Sequence, residues 1–520
     1  MCALYFIERR GRSKDGACGA PIRSCTSESA DAVITWGVSA LSHDASLAVV
    51  QDEKFVFAAH SERYSRIKND ALLHPELIRE ARSFGAPDEV VWYERPLLKK
   101  LRHMRAGQWR HALSTSDLPS RYLRSIGLPH RMPVSYVGHH EAHAWAGIAT
   151  SGFDSAAVIV ADAIGEFDCF TVFSYSPKSG LQLRYRRRYP HSLGLLYSAF
   201  TRRCGFKPNE DEYILMGMAA YGRPRYVDDI LGTWISLDTP GYSLTSNVHR
   251  GIGGWLPDAR PEDLAASMQA VTERLLVEAA SWARKEIGAP NLVLMGGVAL
   301  NCVANSVIAR EAGFSRLWIF PNPGDAGSSL GAAAAHLRKP LRWSGPYLGT
   351  PIERDLDIPA VVRSLRTDGV AAVANGAAEF GPRALGNRSL LADPRSADMK
   401  DRVNGVKGRE KFRPFAPMIR EELLHDYFDV PVPSTPYMQF TARCREPEEF
   451  PAVVHVDGSS RVQSVSQSEH PVLYELLRQW EDASGCPVLL NTSLNSRGEP
   501  LVNTWQEAQA FGEREGVRVH

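Results

Sequence analysis

Three apolar, β-branched runs follow one another with only polar turns between them: VITWGVSAL from Val33, then SLAVVQD, then KFVFAAH. Runs of this length and spacing read as short strands. A second set, AAVIVADAI, CFTVFSYS and LQLRYRRRY, is followed by helical periodicity over Pro261 to Ile287, with an acidic first turn and a basic last turn. Consecutive strands that run into helices specify a mixed α/β sheet with meander pairing, not strict alternation of strand and helix. NLVLMGG then reads as a buried strand ending in a glycine pair, and SSLGAAAAHLRK as a helix of small residues. The RYRRRY run, Arg184 to Tyr189, reads as an edge strand or hairpin.

The prolines and glycines of PLRWSGPYLGTP, from Pro340 to Pro351, mark a linker. The expected organisation is therefore a first domain over 33–340 and a second α/β domain over 346–520, and 520 residues suffice for both. Residues 1–32 lack the apolar core of a signal peptide and read as a poorly ordered extension. No apolar run approaches a membrane span, so the expected location is the cytoplasm. Sixty Lys and Arg against 59 Asp and Glu give a net charge of +1, which argues against a nucleic-acid or anionic-membrane partner. The basic stretch Arg95 to Arg131 has the spacing of solvated helices. None of the eight cysteines forms a C-x-x-C pair, so a zinc ribbon or redox motif is unsupported.

Chemistry concentrates in a few places. In GHHEAHAW, a helix would put His139 and His143 on one face, four residues apart, within reach of one metal ion. A helix cap or core histidines are the ordinary alternative. Asp162, ending the strand AAVIVAD, and Asp325, in the turn PGDAGSS, add carboxylates where strand-end ligands are expected. Two histidines with one or two aspartates and open positions suit iron or another divalent metal better than structural zinc. The turns MGGVALN (Gly296, Gly297, Asn301) and NPGDAGSS (Gly324, Asp325) each join a strand to a helix, where backbone N–H groups can meet phosphate. Further on, Arg383 and Arg388 in EFGPRALGNRS, Lys407, Arg409, Lys411 and Arg413 in VKGREKFRPFAP, and Asn491 to Asn495 in LLNTSLN compose a small-anion pocket.

These motifs, in this order, resemble the O-carbamoyltransferases of antibiotic and nodulation-factor biosynthesis, of which the tobramycin carbamoyltransferase is a type. The resemblance runs from about Val33 onward. It rests on HDAS, SERYSRIK, HHEAH, ADAIGE, LMGMAAYG, MGGVALN, GDAG, EFGPRALGNRS, KFRPFAP and LLNTSLNSRGEP. It implies an actin-like first module of two ribonuclease-H-like lobes and a second module like the enzyme that makes threonylcarbamoyl adenylate. It further implies ATP, taken with Mg2+, and carbamoyl phosphate as substrates, Fe2+ or another divalent metal, and a sugar or polyketide hydroxyl as acceptor. By motif, His139, His143 and Asp325, with Asp162 on or beside the metal, are the implied ligands. Arg383, Arg388, Lys407, Arg413, Asn491 and Ser493 would hold carbamoyl phosphate, and His43 and Lys68 match positions near carbamoyl transfer. An alcohol acceptor needs a base, for which His43, Asp44, Asp211 and Glu212 are candidates.

Two departures accompany the resemblance. Ile214 stands where relatives often carry a lysine, and the chain ends soon after QEAQAFGEREG, so the family's last helix or strand is expected to be clipped. Rival readings are a tRNA-modifying threonylcarbamoyl transferase, a hydrogenase-maturation carbamoyltransferase, and a non-catalytic actin-like nucleotide-binding protein or sugar kinase. The first calls for a basic face, the second for acylphosphatase and zinc-finger modules, and the third has no use for a second anion pocket. Neither the oligomeric state, a homodimer included, nor the acceptor is readable from the sequence.

Overall fold

The first meander forms as the sequence predicts. In the computed structural model, which describes residues 33–520 except Ala106 and Thr239, Ile34–Ser39 pairs antiparallel with Ser46–Gln51, and Ser46–Gln51 with Lys54–His60. The free edge of Ile34–Ser39 then takes Glu89–Trp92 in parallel, followed by Val134–Tyr136. The extension 1–32 and its cysteines Cys2, Cys18 and Cys25 lie outside the described residues.

The second sheet follows the same plan. Ala156–Gly165, Asp168–Ser176 and Gly180–Arg188 form an antiparallel meander, and Asn291–Met295 then Arg316–Trp318 add in parallel beyond Ala156–Gly165. Counted by appearance within each sheet, both have the strand order 3-2-1-4-5. This duplication of topology has no counterpart as a sequence repeat. The RYRRRY run falls on the outermost strand of its sheet, where unpaired backbone and long cations discourage further pairing.

Two helices, His139–Ser151 and Ser328–Leu337, pack on each other between these sheets. Their crossing is close because Gly331 has no side chain: a Cβ there would lie 1.8 Å from the Ala142 carbonyl oxygen. Twelve of the thirteen residues of His139–Ser151 are buried, so its three histidines are held inside the core.

The C-terminal part holds a third five-stranded sheet, ordered Val370–Ala374, Arg388–Ala392, Val488–Ser493, Ala416–Arg420, Gln463–Val465. Only its last pair is parallel. The final residues extend its edge, where Arg518 and His520 accept hydrogen bonds from Ala372 and Ala374. A continuous core runs from Ala157 and Leu196 through Val361 to Leu490, and residues 33–520 cluster as one unit.

One local expectation changes. Asp162 does not end its strand, which continues to Gly165 with a register shift after Ala161. Bulges of this kind re-aim a side chain. Asn491 and Ser493 lie in the last half of the strand Val488–Ser493, at its C-terminal end. The basic stretch forms three short helices, Pro96–Arg105, Trp109–Leu113 and Pro119–Ser125, the first of which buries no residue. No helix among the described residues is long and apolar enough to cross a membrane.

Candidate metal centre and anion pocket

His139 opens the central helix, and His143 lies one turn further along the same face. Asp162 reaches them from the shifted strand, and Asp325 from the turn leading into Ser328–Leu337. One ligand atom from each residue lies within 4.8 Å of all the others. The two Nε2 atoms are 3.1 Å apart, and Asp325 Oδ1 is 3.4 Å from both. Asp162 Oδ2 lies 3.3 Å from His139 Nε2, while its Oδ1 accepts the Gly297 N–H at 3.1 Å. Two imidazoles and two carboxylates converging this closely in a buried site need a shared cation. The donor set fits a divalent metal with open positions.

Without a metal, a proton supplies that charge. Burial works against protonating His139, but Asp325 and then Asp162 lift its pKa well above the ordinary histidine value. Asp325, although burial opposes it, is held well below the usual carboxylate range by His139 and His143. His140 is different: burial first, then the neighbouring His139, push it well down, and its Nδ1 lies 2.8 Å from the Thr171 hydroxyl. It is a neutral neighbour of the cluster. Gly165 makes room for His139, since a Cβ would sit 2.1 Å from the imidazole Cδ2.

The glycine turns serve this cluster. Gly296 donates to the Pro323 carbonyl at 2.9 Å, which ties the two turns together, and the Gly297 N–H is taken by Asp162. Asn301 caps the helix Cys302–Glu311 through Ala304 N–H and bonds Gln269. Gly324 faces open space. Near the rim, His43 pairs with Asp44 at 3.0 Å, and that hydrogen bond is the main reason its pKa rises to about 9. Asp325 and Glu210 contribute in the same direction. Asp211 accepts the Lys207 N–H and Glu212 accepts from Asn209 and Ser198, so both brace their own loop.

The second cluster is cationic. Arg413 lies over the Tyr213 ring at 4.8 Å and Lys68 over the same ring at 5.7 Å, so Lys68 belongs with this group. Burial, then Arg461, push Arg383 down to about 9, and burial, then Arg413, do the same to Arg409. Guanidinium groups keep their protons in proteins, so these displacements record crowded positive charge that an anion would relieve. Lys407 is buried and its pKa falls well below the lysine value, through burial and then Arg409 and Arg413. It donates to the Ser493 hydroxyl (3.1 Å) and to the Asn495 carbonyl and side-chain oxygens (2.8 and 2.9 Å). Glu410, 3.5 Å from Arg413 and 2.8 Å from Arg497, is the carboxylate at its edge.

Arg388 and Asn491 stand apart. Every guanidinium nitrogen of Arg388 donates to backbone carbonyls, those of Thr350, Asn375, Gly376, Asn387 and Asn503, and the residue is fully buried. Asn491 donates to Gln463 and to the Ala384 carbonyl. Both shape the turn that carries Arg383. Glu379 completes that turn by accepting the N–H groups of Leu385, Asn387 and Arg388 on one oxygen. Sequence reasoning missed Arg461 and Tyr213: each stands in a stretch with no basic or glycine-rich pattern around it.

The carbamoyltransferase N-terminus family model matches residues 119–334, and the carbamoyltransferase C-terminus model matches residues 362–519. The chain belongs to the carbamoyltransferase family. It is therefore an enzyme of carbamoyl transfer. An uncharacterized protein of Synechocystis is 36% identical over 91% of this chain and 93% of its own length. Nodulation protein NolNO of Sinorhizobium fredii is 32% identical over 90% and 76%. The 3'-hydroxymethylcephem-O-carbamoyltransferase of Amycolatopsis lactamdurans is 29% identical over 91% and 95%. Similarity to each of these three relatives spans nine-tenths of this chain or more.

Proposed function

We propose that this carbamoyltransferase is an ATP-dependent O-carbamoyltransferase that makes carbamoyl-adenylate in the cationic pocket and transfers the carbamoyl group beside the His139–His143–Asp162–Asp325 cluster. The observation that carries this reading is the pair of sites with opposite electrostatic character. One is a charge-balanced ligand set; the other crowds Arg383, Arg409, Arg413, Arg461 and Lys407 together, a charge suited to phosphates. The repeated strand order supports an actin-like pair of lobes over 33–340. The third sheet would then be the adenylate-forming module over 346–520, with the two family matches falling on either side of the linker.

Atoms balance when water releases orthophosphate from carbamoyl phosphate and the resulting carbamate oxygen displaces pyrophosphate from the α-phosphorus of ATP. The acceptor hydroxyl then attacks the carbamoyl carbon, and AMP leaves. Arg413, Arg383, Arg409 and Arg461 would offset phosphate charge during adenylation, with Lys407 fixing the Ser493–Asn495 wall. ATP would bring Mg2+ to this pocket. A divalent ion held by His139, His143, Asp162 and Asp325, iron on the family resemblance, would supply Lewis acidity and orientation when bound. His43, cationic at neutral pH through Asp44, would hold negative charge at the rim and donate a proton there, leaving the carboxylates Asp44 and Asp211 as the candidate bases. The glycine turns would position the nucleotide next to Asp325. The acceptor is a small-molecule hydroxyl, a sugar or polyketide by the resemblance.

The test is incubation with ATP, Mg2+ and carbamoyl phosphate. Pyrophosphate and orthophosphate should appear in equal amounts. Absence of carbamoyl-phosphate-dependent pyrophosphate would falsify the reading.

A further inference from the structure

Neither site accounts for most of the SERYSRIK motif. Its short helix, Glu62–Ser65, sends side chains from the first sheet into the C-terminal part. Arg63, 3% exposed, donates from Nη2 to the carbonyls of Gly381 (2.9 Å) and Glu379 (3.4 Å). Its Nε and Nη1 are buried without partners, as is Glu379 Oε2. The Tyr64 hydroxyl shares a 3.0 Å hydrogen bond with that of Thr350 and also reaches Glu80. Arg66 donates to the carbonyls of Leu501 (2.6 Å) and Pro500 (2.8 Å) and pairs with Glu507 at 3.4 Å.

Just upstream, His60 reaches the loop that carries Asp325. Asn322, three residues before Asp325, lies with its Nδ2 2.9 Å from His60 Nε2. Burial pushes His60 down to about 3, so it is neutral and accepts that bond. The other face of the ring packs on Phe380 at 5.1 Å. The segment 60–66 therefore touches both the loop that carries Asp325, through His60, and the turn that carries Arg383, through His60 and Arg63. The approach is tight, for a Cβ on Gly381 would come 2.9 Å from the Pro321 carbonyl oxygen.

We infer that residues 60–66 form a clasp, with Arg63 as its central positioning residue, that holds the Glu379–Arg383 turn against the Asn322–Asp325 loop and so keeps the path between the two sites closed to bulk water. This rests on the two-site reading above. A guanidinium buried with idle N–H groups is costly, and a lysine, whose nitrogen ends about one bond short of Arg63 Nη2, would not reach the two carbonyls that this nitrogen serves. A carbamoyl-adenylate formed in one site and consumed in the other is lost to hydrolysis if the junction opens. Arg63, Arg66 and His60 touch neither reacting group; Arg63 and His60 act through the two loops, and Arg66 anchors the segment to the Pro500 and Leu501 carbonyls.

The experiment compares wild type with Arg63→Lys, Arg63→Met, Arg66→Met and His60→Gln. Each is incubated with ATP, Mg2+ and carbamoyl phosphate, without acceptor and with hydroxylamine as an external nucleophile. Pyrophosphate reports adenylation, and hydroxyurea in excess of that formed from carbamoyl phosphate without ATP reports carbamoyl-adenylate that has escaped. The clasp predicts a hydroxyurea-to-pyrophosphate ratio at least tenfold above wild type for the Arg63 variants, with a smaller rise for Arg66→Met and His60→Gln. A purely structural role lowers both products together and leaves the ratio unmoved, which overturns the clasp. Should Arg63→Met fail to fold, Arg63→Lys and the two flanking variants decide the ratio. Wild type that makes no pyrophosphate sinks the two-site reading and the clasp with it.

Discussion

The metal-ligand cluster and the cationic pocket are both buried sites full of charge, yet they handle it in opposite ways. Around His139 and His143, two carboxylates accompany two imidazoles, so the residues compensate one another whether a proton or a metal completes the set. Around Arg413, guanidinium groups depress one another, and Glu410 is the acid at the edge. The first site is organised before any substrate arrives. The second stores repulsion that a polyanion would relieve, so that in the proposed reading substrate binding and charge stabilisation fall to the same groups.

The sharpest way to break this contrast is to remove a pocket cation. Arg413→Ala or Arg461→Ala should weaken carbamoyl phosphate binding by roughly 100-fold, the scale of a buried charge-assisted pair, with metal content unchanged. Titration of pyrophosphate formation against carbamoyl phosphate reads the first, and elemental analysis the second. The reciprocal change, His139→Ala, should remove bound metal while leaving the carbamoyl phosphate titration within about twofold, since additivity holds for sites without shared partners.

A subtler contrast is pH. His139 must lose its proton to bind metal, and its metal-free pKa is raised. Metal affinity should therefore rise with pH through the neutral range and fall on acidification, read by titration of the metal-free protein. At the rim, the folded pKa of His43 is about 9, above the ordinary histidine value of 6.5. Any stability from its pairing with Asp44 is fully present below 6.5 and is lost as pH rises through about 9. If cationic His43 serves transfer, the alkaline limb of the rate profile lies there, and Asp44→Asn should move it toward neutral pH.

The smallest effect on chemistry belongs to Arg388. Because its donors all go to backbone carbonyls, Arg388→Met should lower the melting temperature with little change in the pyrophosphate yield per folded molecule. A selective loss of carbamoyl phosphate affinity at unchanged stability would move Arg388 back into the pocket.

The two sites also differ in how far the sequence revealed them. His139 and His143 share one helix, so their spacing is a local property, and each aspartate sits in a recognisable strand or turn context. The pocket draws Lys68 and Tyr213 from the first part, the 407–413 loop from the second, and Arg461 from a short strand. Only long-range packing brings these together. Arg388 looked equivalent to Arg383 in EFGPRALGNRS, and nothing local shows that one guanidinium turns inward to the backbone. The strands and helices were legible from periodicity, whereas the duplicated strand order was not, because topology leaves no trace when the two sequences have diverged.

The division of labour between the sites is tested most directly by carbamoyl-phosphate-dependent pyrophosphate release in His139→Ala and Arg413→Ala, measured side by side. The account predicts that His139→Ala keeps near-wild-type release and Arg413→Ala loses it. Equal loss in both variants would contradict it.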